Sequence, residues 1–106
     1  MPFALEISAA APARPPFDAS VAAAERARDR GMAALWWADH LLHWFPPSLW
    51  TPDLTPAAAS VPSPHTWFDP FAMAAAVGQR VDGIRLGVGV TDTVRRHPAA
   101  LAQTAL

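Results

Sequence analysis

The sequence predicts an α/β fold on parallel strands, and three observations carry that prediction. Short apolar runs at Phe3 to Ile7, Ala34 to Ala38 and Ile84 to Val90 are separated by alanine-rich stretches of helical spacing. The run Ala34-Leu35-Trp36-Trp37-Ala38 is apolar throughout, the pattern of a strand buried on both faces. The order strand, helix occurs three times, and parallel strands need a helical crossover to return to the same edge.

The elements follow in chain order. After the strand Phe3 to Ile7, the stretch Ala11 to Phe17 holds Pro12, Pro15 and Pro16 and reads as a loop. Asp18 is placed to cap a helix in which Val21, Ala24 and Ala27 share one face and Gly31 supplies the left-handed terminator. Glu25 with Arg28 and Arg26 with Asp29 are expected as (i, i+3) pairs on its wet side. The second strand then ends abruptly at Asp39-His40. From Leu41 to Phe68 six prolines stand among Trp44, Trp50 and Trp67, which predicts an inserted loop without regular structure over 41–68. Asp69-Pro70 opens a second helix as N-cap and first helical residue, with Phe71, Ala74, Ala75, Gly78 and Val81 as its buried stripe. Asp82-Gly83 makes a turn into a third strand, where Ile84, Leu86, Val88 and Val90 alternate with Arg85, Gly87 and Gly89. Two glycines on one side admit close approach of something flat. Pro98 begins a third helix, Ala99 to Leu106, whose pattern is still running at the last residue. Three such units fit a small doubly wound sheet or part of a (β/α)₈ barrel. A complete barrel takes about 250 residues, so the unfinished helix favours an incomplete N-terminal βαβαβα portion of a barrel.

Composition narrows the function classes. With 106 residues, 52% hydrophobic and 16% charged, the chain is of globular type. Eight arginines, no lysine and nine scattered acidic residues give a net charge of −1 and no basic patch for nucleic acid or an anionic membrane. Cysteine is absent, which removes thiolate chemistry and fits a reducing compartment, so a cytoplasmic location is expected. No segment has the shape of a signal peptide, because Glu6 interrupts the first apolar run, and none reaches the roughly 20 apolar residues of a membrane helix.

In a (β/α)₈ barrel the active site lies at the carboxyl ends of the strands, where Asp39 and His40 fall. An imidazole can give or take a proton near neutrality, and an adjacent carboxylate can orient it. A merely solvated ring is the bland alternative. A metal site from Asp39, His40, His43 and His65 is a rival reading, although no compact ligand motif supports it and no metal is expected. Gly87-Val88-Gly89 is not a dinucleotide fingerprint, since the third glycine position is Asp92. Trp36 and Trp37 read as core, and His97 as a solvent-facing helix start. Trp44, Trp50 and Trp67 either wall a lipid-like substrate or pack the loop down. A non-enzymatic α/β interaction module, with the aromatic loop as its contact surface, also stays open; it predicts that the 106 residues fold alone.

Taken together, the helix ending in Gly31, the strand Leu35 to His40, the Asp69-Pro70 helix, the strand Ile84 to Val90 and the Arg96-His97-Pro98 helix start resemble the opening of the luciferase-like superfamily. The resemblance covers nearly the whole chain and implies the N-terminal part of one barrel domain. Asp39-His40 followed by Trp44 resembles the branch that uses coenzyme F-420, a deazaflavin, and the segments 44–53 and 90–98 resemble ketoreductases of phthiodiolone-type lipid ketones. The resemblance implies that Asp39 hydrogen-bonds the deazaflavin ring, His40 donates or accepts the proton beside the hydride-transfer carbon, and Trp44 walls the substrate. It also implies a non-prolyl cis peptide at Gly89-Val90 beneath the ring. An FMN-dependent monooxygenase using dioxygen is the competing branch, and fold alone does not separate the two. The substrate is expected to be a small-molecule or lipid-like ketone, the full-length protein a homodimer, and this chain alone inactive and prone to aggregate through its open strand edges.

Overall fold

The apolar runs become three short parallel strands in the structure, a computed structural model that describes residues 5–106. The elements are β1 (Ser8–Ala11), α1 (Phe17–Asp29), β2 (Ala34–Trp37), α2 (Pro70–Gly78), β3 (Arg85–Val88) and α3 (Pro98–Ala105). The strands lie side by side in chain order. Leu35 and Trp37, two residues apart and therefore on one face of β2, are fully buried in a core with Ala24 and Ala27 of α1 and Met73 and Val77 of α2. Both crossover helices thus cover the same face. A doubly wound sheet reverses strand order and covers both faces; sequential order with one covered face is how a (β/α)₈ barrel begins.

The other face corrects the expectation that β2 is buried on both sides. Trp36 is 42% exposed there. In register it stands between Ala10 and Gly87, small residues that leave room for an indole. A Cβ at Gly87 would come within 2.4 Å of Trp36 Cζ3, so the flat group that this glycine admits is Trp36 itself.

Several boundaries differ from the sequence reading, each for a local reason. The first strand is Ser8–Ala11 and not Phe3 to Ile7, of which Phe3 and Ala4 lie outside the described residues and Leu5 and Ile7 are exposed. Pairing with β2 selects the alanines, whose small side chains at Ala9 and Ala11 fit against the core. Helix α1 starts at Phe17, directly after Pro16, which makes no side-chain cap; Asp18 sits inside the first turn, where its charge still favours the helix dipole. Gly31 has φ +71 and closes a Schellman motif through Gly31 N–H to Arg28 O and Met32 N–H to Ala27 O. Arg28 pairs with its neighbour Asp29 at 2.9 Å, in place of Glu25. Asp69 caps α2 as expected, its Oδ1 accepting from the Phe71 and Ala72 amides at 2.9 and 3.0 Å. The buried stripe of α2 is Pro70, Met73 and Val77, continued by Val81. Ala74 packs against the edge of that core as expected, and with Phe71 and Ala75 it also lines a groove toward Leu86 and Leu101, because a helix between two barrel neighbours is apolar over more than one stripe. The loop 41–68 is more regular than its prolines suggest, with 3₁₀ turns at Pro47–Leu49 and Pro56–Ala59 that both start on a proline. His97 Nδ1 accepts from the Ala99 amide at 3.3 Å and caps α3. Among the described residues no helix is long and apolar enough to cross a membrane.

Candidate active site

The ladder between β2 and β3 runs on beyond the strands. Gly89 N–H donates to Trp37 O at 2.9 Å and Asp39 N–H to Val90 O at 3.3 Å, which brings Asp39, His40, Gly89 and Val90 to one end of the sheet. The Gly89–Val90 peptide is cis, at the position that the luciferase-like resemblance implies.

Asp39 and His40 are adjacent in sequence and opposite in environment. The Asp39 side chain is 1% exposed, and both of its carboxylate oxygens are engaged by protein donors. Arg96 Nε donates to Oδ2 at 2.8 Å and Arg96 Nη2 to Oδ1 at 3.1 Å, a bidentate pairing. Thr91 Oγ1 donates to Oδ2 at 2.6 Å, and Arg95 Nη2 stands 3.1 Å from the same oxygen. The Arg96 hydrogen bonds hold the Asp39 carboxyl well below the usual carboxylate range, helped by Thr91 and Arg95 and opposed by burial. Arg96 reaches on to Asp69 Oδ2 at 2.6 Å, so one guanidinium ties the end of β2 to the N-cap of α2. The arginine is raised above its ordinary value by its bonds to Asp39 and then Asp69.

Sequence reasoning gave Thr91, Arg95 and Arg96 no role at this site. The available signal was a pair of adjacent arginines between the third strand and the third helix. What spacing does not reveal is which carboxylate they meet, because Asp39 lies 56 and 57 residues away.

His40 is exposed, and its ring lies 4.9 Å from that of Trp67 at a tilt of 55°. Beside it, His43 is sandwiched between Trp44 at 5.3 Å and Trp67 at 5.7 Å. The Arg14 guanidinium lies over the Trp67 ring at 4.1 Å and also 5.1 Å from Trp50. Trp50 donates to Val61 O at 2.7 Å, and Phe68 N–H donates to Ala13 O at 2.7 Å. These contacts separate the loop tryptophans: Trp50 and Trp67 hold the loop against the body, whereas Trp44 is 83% exposed.

His43 and His65 are committed to the loop. His43 Nδ1 accepts from Phe45 N–H at 2.8 Å, and His65 Nδ1 accepts from His43 N–H at 3.2 Å. Burial lowers the pKa of His43, and the nearby charge of Arg14 adds to the effect. With Asp39 turned toward arginines, the four-residue metal set is not assembled, and among the described residues no group of three or more acidic or histidine side chains could hold an ion.

The carboxyl end of the sheet therefore offers an exposed imidazole, an exposed indole and, at Val90, an 83% exposed apolar side chain, all next to a neutralised ionic clamp. The profile of the luciferase-like monooxygenase family matches residues 2–106. Over 74 residues the chain is 39% identical to the phthiodiolone/phenolphthiodiolone dimycocerosates ketoreductase of Mycobacterium sp. (strain JLS), covering 68% of this chain and 20% of that protein. Over 77 residues it is 40% identical to the protein of the same name from Mycobacterium kansasii, covering 71% and 21%. The chain thus spans about a fifth of the length of these relatives. No solved structure matches it significantly. The family profile, together with three parallel strands in sequential order and both crossover helices on one face, establishes that the chain belongs to the luciferase-like monooxygenase family.

Proposed function

We propose that the whole protein is an oxidoreductase that transfers a hydride from reduced coenzyme F-420 to a carbonyl substrate, or in reverse from the alcohol to the oxidised coenzyme, in the manner of a ketoreductase. The observation that carries this reading is the exposed imidazole of His40 at the carboxyl end of β2, with Trp67 beside it and exposed Trp44 close by. The names of the two relatives supply the ketone as substrate class, and the exposed apolar surface of Trp44 suits a lipid-like one.

The residues can be tested against the coenzyme. A flat, apolar ring system needs an apolar platform that is open to approach and few competing charges. Val90 offers the platform, and the neutralised Asp39 leaves no free carboxylate beside it. Exposed His40 adds one titratable nitrogen. Asp39 does not suit the ring-binding role through its carboxylate, whose oxygens are already taken; its part is to hold the segment that bears His40. Gly89 and Val90 would lie beneath the ring. The reduced deazaflavin, when bound, supplies the hydride. His40 gives its proton to the ketone oxygen as negative charge develops there, or takes one from the alcohol in the reverse direction. Such general acid catalysis is worth on the order of 10²–10⁴-fold in rate. Trp44 positions the substrate and excludes water from its apolar part.

The family's description favours a second reading, an FMN-dependent monooxygenase acting with dioxygen. His40→Ala in the whole protein tests the first reading. Turnover should fall by about 10²-fold or more while affinity for the coenzyme is kept. Wild-type turnover in this variant would remove His40 from the chemistry.

A further inference from the structure

We infer that Arg95 is a positioning residue that sets the orientation of His40, an inference that rests on the role proposed for His40 above. Arg95 Nη2 donates to the main-chain carbonyl of Asp39 at 2.8 Å. That carbonyl belongs to the peptide whose nitrogen is His40's own. Because a peptide unit is planar, gripping its oxygen also fixes the nitrogen and Cα of His40, the atoms from which the side chain departs. The Asp39 N–H makes the last bond of the extended ladder, so the Asp39 carbonyl lies past it and needs a donor from elsewhere. Arg95 is that donor.

The grip is itself anchored. Asp92 accepts Arg95 Nε at 3.1 Å on one oxygen, and the Arg95 and Val94 amides at 2.6 and 3.1 Å on the other. A continuous chain therefore runs from the loop after β3, through Asp92 and the Arg95 guanidinium, to the peptide that carries His40. On the near side of Asp39, the bond from its N–H to Val90 O holds the preceding peptide. His40 needs this external support because, among the described residues, its ring makes no hydrogen bond and lies beside Trp67 at 4.9 Å. Arg96 makes no contact with the carbonyl; it meets Asp69 and the Asp39 carboxylate, which Arg95 also approaches at 3.1 Å.

The test is a double-mutant cycle in the whole protein with Arg95→Ala, His40→Ala and both together, supplemented by Arg95→Lys. Displacing a catalytic group by about 1 Å costs on the order of 10²-fold in turnover. Arg95→Ala should lower kcat by that order with KM little changed, and Arg95→Lys, which retains one donor, should recover part of the loss. In the His40→Ala background the arginine substitution should cost nothing more, because its effect passes through the imidazole. Hydrogen exchange should quicken at the amides of residues 39–41 in Arg95→Ala while the rest of the sheet is unchanged. A kcat within twofold of wild type in Arg95→Ala, or losses that multiply in the double variant, would overturn the inference. If His40→Ala alone kept full turnover, the proposed role of His40 would fall first and this inference with it. Should Arg95→Ala not fold, Asp92→Asn releases Nε and leaves the Asp39 contacts intact. It should give a smaller loss with the same lack of additivity.

Discussion

Asp39→Asn removes one charge and keeps the shape of the side chain, at the point where three segments meet. The carboxylate is 1% exposed and receives Arg96 twice, at 2.8 and 3.1 Å, and Thr91 at 2.6 Å, with Arg95 at 3.1 Å. Removing one partner of a fully buried pair costs roughly 3–5 kcal/mol. Two features reduce that figure. The guanidiniums of Arg95 and Arg96 keep 29% and 26% of their exposure, and each retains a second carboxylate, Asp92 or Asp69. After allowance for solvent screening, a loss of about 2 kcal/mol is expected at pH 7. The dependence on pH has a definite sign. A carboxylate held below its unfolded value stabilises the fold fully above that value, near 3.9, and the stabilisation is lost as pH falls through the lowered folded value. Arg96 holds Asp39 down in this way, so the difference between wild type and variant should be complete at pH 7, begin to narrow below about pH 4 and keep narrowing as the pH falls toward the lowered folded value. Urea unfolding of the whole protein, followed by tryptophan fluorescence at pH 7 and below about pH 4, reads the difference. A gap under about 0.5 kcal/mol at pH 7, or one that persists on acidification, would refute the account of the clamp.

Two other substitutions probe different parts of the structure. Gly87→Ala places a Cβ 2.4 Å from Trp36 Cζ3 and 2.5 Å from Cε3; the indole must turn away, with a loss of about 1 kcal/mol in urea unfolding and a shift in tryptophan emission. Trp44→Ala should raise the KM for an apolar ketone about tenfold, as partial burial of one aromatic side chain is worth, with coenzyme affinity unchanged in a binding titration.

What the sequence made legible follows from the range of the forces involved. Local rules placed the Asp69-Pro70 helix start and the Gly31 terminator, because capping and turn geometry depend on a few adjacent residues; the expected alternation of β3 is not seen, its residues after Arg85 all being partly buried. The first strand was misplaced because its alanines carry little signal of their own and are chosen by pairing with β2. The face of α2 was misassigned for a related reason. Its residues are apolar almost all round, so periodicity does not say which side meets the core. At the site, the end of β2 identified Asp39 and His40 together, and family resemblance identified the Gly89–Val90 peptide. The opposite environments of the two residues were not legible. Asp39 is turned inward by arginines more than fifty residues away, and only the folded chain brings them together.

The most direct test of the central claim is a titration of the whole protein with reduced coenzyme F-420 and, in parallel, with reduced FMN, followed by fluorescence or absorbance. The account predicts tight binding of the deazaflavin and negligible binding of FMN. A preference for FMN would contradict it and move the protein to the monooxygenase reading, and binding of neither would return the aromatic loop to consideration as an interaction surface.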